Sequence, residues 1–411
     1  MAQAIDLLQY PIDTDYYTRH VTTDNARAGA SLLDAASVAP VLPGEGDVYP
    51  DLSRVFDTME TYLAGGDTGA ADELAARVAG AGVANLNVAW RGQMERQLRA
   101  IRNRTISMQG GLPCYSREPK APMAEPMPYT LWANAEMDYQ NLRDKSSLPG
   151  YKLNSIGGTA GFAMQAGHDM TLGAAFSGMA GRLSSKGYGS DASGDLDAYY
   201  ASVFLRKDMG CVQHTLIGSV GWADISFNRR VGMPAGGYET RGATDGLGMG
   251  IMYEMARSYM ISEDVMRRAW WQPVFNVAYI HSKVDAYTES GSDAALRVGK
   301  QDSNNVIFGL GARMQGIVGE GVFNTPAVME ARILGKAIAG GRRGKADVSL
   351  PGPGGSATVR GSESSAMGVE LGVGLSIPLG RSYGGIFTDV TAEFYGQQSS
   401  VNGVLGYRLD F

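Results

Sequence analysis

The chain has 411 residues, enough for one large domain with a smaller segment beside it. Charged residues make up only 19%, the formal net charge is -6, and 56 residues are glycine, near twice average usage. That balance argues against nucleic acid as a partner, and no run of 18 apolar residues occurs, which excludes a transmembrane helix.

The first third has helical grammar. Met1 to Pro11 lacks the basic and apolar regions of a secretory leader. Ser31 to Ala36 and Leu52 to Leu63 have helical spacing, and Asp67 or Thr68 caps a further helix through Val78. From Val83 to about Ile106 a helix carries Arg91, Arg96, Arg99, Arg102 and Arg104 against one acid, Glu95. Taken alone, such a helix reads as a solvated surface helix. Residues 109–128 are Pro-rich and break it. The expected domains are a helical pre-barrel segment over 1–82, a plug helix with its connection over 83–128, and a barrel over 129–411.

After the break the period changes to two. Val401, Gly403, Leu405, Tyr407, Leu409 and Phe411 alternate with polar or small residues, as do Leu247 to Met255, Val306 to Met314 and Met367 to Leu379. A strand sends successive side chains to opposite faces, so each segment has one apolar face and one of glycine and charge. Soluble strands average about 5–6 residues; alternation over roughly ten is the mark of strands that cross an outer membrane. The second face suits a polar lumen rather than a packed core.

Twelve strands are predicted, near 129–142, 151–166, 169–183, 195–208, 211–227, 244–257, 270–286, 303–318, 325–339, 365–379, 384–396 and 400–411. The connections alternate between long polar ones, up to 340–364, and mostly tight turns. That asymmetry belongs to an outer-membrane barrel; an even strand number returns both ends of the sheet to the periplasmic side, and closure removes the edges. Trp222, Trp270, Trp271, Tyr129, Tyr253, Tyr279, Tyr407 and Phe411 are expected in its aromatic girdles. Glu136, Asp138, Glu254, Glu330, Glu370, Asp389 and Glu393 fall on inferred inward faces. An acidic lumen would take the basic helix as a plug, because opposite charges in a confined space are poorly screened. Export to an outer membrane needs a leader, so Met1 is expected to begin a processed form or a fragment.

The helical segment, the Pro-rich break, W-A-N-A-E-M-D-Y from Trp132, G-Y-K-L-N-S-I-G-G-T-A-G-F from Gly150, M-T-L-G-A-A-F-S-G from Met170, S-G-D-L-D-A-Y-Y from Ser193 and the final G-Y-R-L-D-F occur in a set order. Over about 85–411 this order resembles the translocator domain of type V secretion autotransporters. The resemblance implies a twelve-stranded barrel with a central helix, left after an N-terminal passenger has passed to the cell surface. It also implies that the last strand, with Tyr407, Leu409 and Phe411, is the signal read by the barrel assembly machinery. Some autotransporter proteases release the passenger when an asparagine in the lumen cyclises on its own carbonyl. Here A-N-L-N (Ala84 to Asn87) is similar, but Ala84 stands at the cyclising position and lacks the amide.

Enzyme signals are weak. His20, His168, His214 and His281 have no metal-ligand spacing, and neither a nucleophile elbow nor a zincin motif occurs. Gly246, Gly248 and Gly250 alternate within a strand and do not make a dinucleotide fingerprint. The paired acids Glu136 and Asp138 read as partners of a plug, so no catalytic residue, metal or cofactor is expected. Cys114 and Cys211 both map to the tight-turn end of the barrel and are expected to pair in an oxidising compartment. The leading reading is a monomeric outer-membrane translocator with lipid, the assembly machinery and its own passenger as partners. The long connections would lie at the cell surface and Phe411 at the periplasmic face. Alternatives are a porin-like pore, which needs an open lumen, and a surface enzyme embedded in a barrel.

Overall fold

The computed structural model describes residues 14–37, 50–107, 129–167, 169–189, 191–232, 237–262, 269–320, 326–350, 355–380 and 384–411. Twelve long antiparallel strands follow the helical region: β1 (Tyr129–Leu142), β2 (Gly150–Gln165), β3 (Met170–Lys186), β4 (Ala192–Met209), β5 (Val212–Val231), β6 (Tyr238–Arg257), β7 (Ala269–Val284), β8 (Gln301–Glu320), β9 (Pro326–Gly340), β10 (Met367–Gly380), β11 (Gly384–Tyr395) and β12 (Gln398–Asp410). Each pairs with its sequence neighbours, and β12 pairs with β1 from Thr130 opposite Asp410 to Leu142 opposite Gln398. The ring is closed, so every strand has its backbone partners. All twelve predicted strands are present.

The outward face is apolar. Leu310 is 70% exposed, and Met137, Val203 and Leu405 are each above 60%. Soluble monomers rarely expose contiguous apolar patches larger than a few hundred Å²; lipid is the solvent this face fits. Trp222, Trp271, Tyr129, Tyr279, Tyr407 and Phe411 face outward as expected of a girdle. Trp270 does not. It stands next to Trp271, so the period of two sends it inward, where its indole N–H donates to Gln315 at 2.9 Å.

The two longest connections, 285–300 and 341–366, lie at one end of the barrel; at the other, β1 begins and β12 finishes. Two connections are two-residue hairpins, 210–211 and 396–397. Gly210 and Gly396 take positive φ there (61° each), which glycine tolerates without steric cost. The longest connections, expected to be loops, instead contribute a four-stranded sheet of Tyr287–Thr288, Arg297–Val298, Arg343–Ser349 and Ser356–Glu363.

Helices α1 (Tyr16–His20), α2 (Asp24–Ser37), α3 (Pro50–Ala64) and α4 (Thr68–Val78) pack at this long-connection end, and a 3-10 turn, Ala81–Asn85, leads into α5 (Leu86–Ser107). Asp67 caps α4 by accepting from the Ala70 N–H at 3.0 Å. One hydrophobic core runs from Tyr17 through Val83 and Trp90 to the barrel wall. The expectation of an inner face without a packed core is therefore corrected for the long-connection end. There the inward positions of β2–β5 and β7 carry Tyr151, Leu153, Leu183, Leu196, Phe227 and Ile280, none more than 4% exposed.

Candidate functional site: a helix inside the barrel

Helix α5 runs through the lumen. Its N-terminal end lies among the long connections, where Asn85 donates to the Pro149 carbonyl at 2.9 Å and Gln301 to the Val83 carbonyl at 3.2 Å. Its C-terminal end lies near the start of β1, where the Arg104 guanidinium stacks 3.7 Å above the Phe387 ring and 5.2 Å from that of Trp132. The helix has two faces. Trp90, Met94 and Leu98 recur every four residues and form one ridge; the arginines occupy the rest.

The apolar ridge lies on glycines. A Cβ at Gly246 would meet Trp90, one at Gly248 or Gly221 would meet Met94, and one at Gly250 would meet Leu98, at 2.6 to 3.3 Å. This explains G-L-G-M-G. On the strand's inner side alternate side chains are deleted to make room for a helix.

The polar face meets a ring of acids. All seven predicted acids point inward; six are buried and Asp389 is half-buried. Arg96 pairs with Glu136 at 2.9 Å, Arg99 with Glu393, and Arg102 with Glu370 and, at 3.7 Å, with Glu254. Asp138 accepts from Gln93 of the helix at 3.3 Å and from Gln140 at 3.0 Å. Asn103 donates to Asp389 at 3.1 Å. Arg91 donates to the Gly341 carbonyl and to Asn305 Oδ1.

The wall is not acidic alone. Arg332 holds Asp389 through two 2.8 Å bonds and Glu330 at 3.0 Å, and Arg313 holds Glu254 at 3.3 Å. Lys336 lies between Glu95 of the helix (2.9 Å) and Glu370 (3.2 Å), and also contacts Glu393. Arg313 lies on the polar side of the Val306–Met314 alternation, whereas sequence reasoning missed Arg332 and Lys336, which share the alternation of Glu330. Buried pairs return little net stability because desolvation offsets attraction, but breaking one is costly. The network therefore fixes where the helix sits more than how strongly the barrel holds together.

Gln97 bridges to Ser177 and Ser202 at 2.9 and 3.2 Å, on the opposite side from Glu370 and Glu393. The helix is thus bound around its circumference. Cys211 lies in the β4–β5 turn, at the end of the barrel where β1 begins; Cys114 falls outside the described residues.

A closed antiparallel barrel that is apolar outside and polar within defines an outer-membrane protein, and the helix through it defines one whose channel is occupied. The family model for the autotransporter β-domain matches residues 131–391, and the chain belongs to that family. It is an outer-membrane translocator of the type V secretion route. Among solved structures, it is similar to the translocator domain of the autotransporter NalP from Neisseria meningitidis, with 15% identity over 79% of this chain and 97% of that one, TM-score 0.59. It is also similar to the transport unit of the autotransporter AIDA-I from Escherichia coli, with 12% identity over 79% and 98%, TM-score 0.49. At 15% identity the likeness to the NalP domain speaks to the fold alone. No curated protein sequence matches significantly.

Proposed function

We propose that the chain exports and anchors the segment N-terminal to its barrel, with the long connections at the cell surface and Phe411 at the periplasmic face. The observation that carries this reading is the placement of α5. It crosses a closed ring with its N-terminal end among the long connections, so whatever precedes it emerges on that side. In this reading 1–82 is the pre-barrel segment, 83–128 the plug and its connection, and 129–411 the anchor. Arg96, Arg99 and Arg102 hold the plug against the inward acids once export is over, while Arg91 fixes it through the Gly341 carbonyl and Asn305, and Arg104 through the Phe387 and Trp132 rings.

The partners follow from the same arrangement. Outer-membrane lipid covers the apolar face, and the barrel assembly machinery reads the outward Tyr407 and Leu409 of β12 with the terminal Phe411. A single ring with no open edge works as a monomer. The lumen is a transport path without catalysis or cofactor, and Ala84 in place of an amide keeps the segment attached. Cys114 is bonded to Cys211 and ties the exit of the plug to the wall; in support, Cys211 carries no free thiol.

The test is surface display. An epitope placed before Thr14 should be cut by protease added to intact cells that hold the barrel in their outer membrane. An epitope that stays protected until the cells are lysed rejects export.

A further inference from the structure

The lumen is layered. Its middle is polar, but towards the long connections the wall turns apolar, and Val83, Ala84, Leu86 and Trp90, none more than 1% exposed, fill it. Above this layer the two longest connections do not stream into solvent. Their sheet closes on the helices of the N-terminal segment by contacts that tie every layer to the next. Asn25 of α2 exchanges two 2.8 Å hydrogen bonds with the backbone of Arg360. The Asp51 and Leu52 N–H groups at the start of α3 donate to Asp293 at 3.1 and 2.9 Å. A Cβ at Gly344 would overlap the Ala84 carbonyl, so the sheet lies directly on the 3-10 turn.

Arg229, near the end of β5, clasps the three parts together. Its side chain is 2% exposed and faces Glu289, donating from Nε at 3.0 Å. It also donates to the Arg77 carbonyl at the end of α4 (2.8 Å) and to the Ala294 carbonyl of the connection (3.1 Å). Barrel strand, connection and N-terminal helix thus share one buried cation.

We propose that α1–α4, the 3-10 turn and the four-stranded sheet form a resident lid, and that the apolar layer it closes over, rather than the charged middle of the lumen, is the seal against ions. This rests on the reading of the barrel as a membrane-spanning translocator. Fixed charges offer a passing ion partners in place of its water; a dry apolar constriction offers none and stops it by dewetting. The N-terminal segment is then a working part of the translocator and not a leftover of its cargo.

Hydrogen exchange and planar-bilayer current, both on the full chain, test it. In the parent protein, amides of Ala81–Asn85, Arg343–Ser349 and Ser356–Glu363 should exchange as slowly as those of β1–β12, with no steady current. Arg229→Gln should speed exchange across α4, the 3-10 turn and the lid sheet, leave β1–β12 protected, and open a current. Fast lid exchange in the parent overturns the proposal, and so does a variant whose lid exchanges quickly while the membrane stays tight. If Arg229→Gln disturbs the barrel itself or leaves lid exchange unchanged, Asn25→Ala, remote from the wall, takes its place under the same two criteria; a lid that stays protected in Asn25→Ala as well overturns the proposal. A protected lid on a protein that fails surface display would reject export and leave the seal standing.

Discussion

Met94 occupies the space that a side chain at Gly248 would need: a Cβ there would come within 2.6 Å of Met94 Cγ. The neighbouring contacts, Trp90 over Gly246 and Leu98 over Gly250, repeat the relationship above and below. One strand was emptied on its inner side so that one helix could lie against it.

Gly248→Val should therefore destabilise the protein by about 1–3 kcal/mol, the usual cost of forcing bulk into a filled space. Gly403→Val supplies the control, because Gly403 has nothing within 4 Å of its would-be Cβ. Both changes add the same β-branched residue to a strand. A fall in thermal unfolding midpoint for the first and not the second would localise the effect to the helix seat.

The Arg96–Glu136 pair invites a double-mutant cycle. Each partner is at most 1% exposed, so Arg96→Met or Glu136→Leu alone strands a charge and should cost about 3–5 kcal/mol. The double variant should cost less than the two single changes summed, and less than either if the surrounding hydroxyls adjust. Strict additivity in urea unfolding from lipid vesicles would show that the two charges do not interact.

The outward face can be probed by depth. Leu310→Arg puts a charge where the strand is most exposed to lipid and should cost about 2–4 kcal/mol. Asp224→Arg uses the same residue nearer the long connections, directly between Asp197 and Asp245 on the adjoining strands. Like charges opposite one another are unfavourable, so this reversal should be neutral or stabilising. Folding into vesicles of defined thickness would measure both.

Maleimide labelling in denaturant without reductant should leave both Cys114 and Cys211 unmodified, and labelling should appear after reduction. Two labelled sulfurs before reduction would remove the proposed tie.

Much of the barrel was legible because its signal is local. The period of two marks each strand and decides which residue faces lipid, and the seven inward acids follow from it. The lid was not legible, since its order depends on contacts between segments far apart in sequence. Ala346, Val348 and Leu350 do alternate within the longest connection, and all three are buried; the signal was present but short, and glycine and charge around it masked it. Arg229 was missed for a related reason. The predicted strand stopped at 227, whereas β5 runs to Val231, and only that extension carries the guanidinium to the helices. Tyr151, Leu153 and Phe227 sit on the inward alternation too, but no strand shows by itself that its last turns line a dry layer.

Pairing of β12 with β1 has a consequence for the order of events. The polypeptide enters this ring on the side of its lid and leaves it beside Tyr129, so it is threaded through an eye made from its own later residues. Folded chains almost never do this. The eye cannot shut until β12 exists, and once it has shut, the folded mass at one side keeps the thread from being drawn back. What passes outward last is, by that geometry, what becomes locked in place.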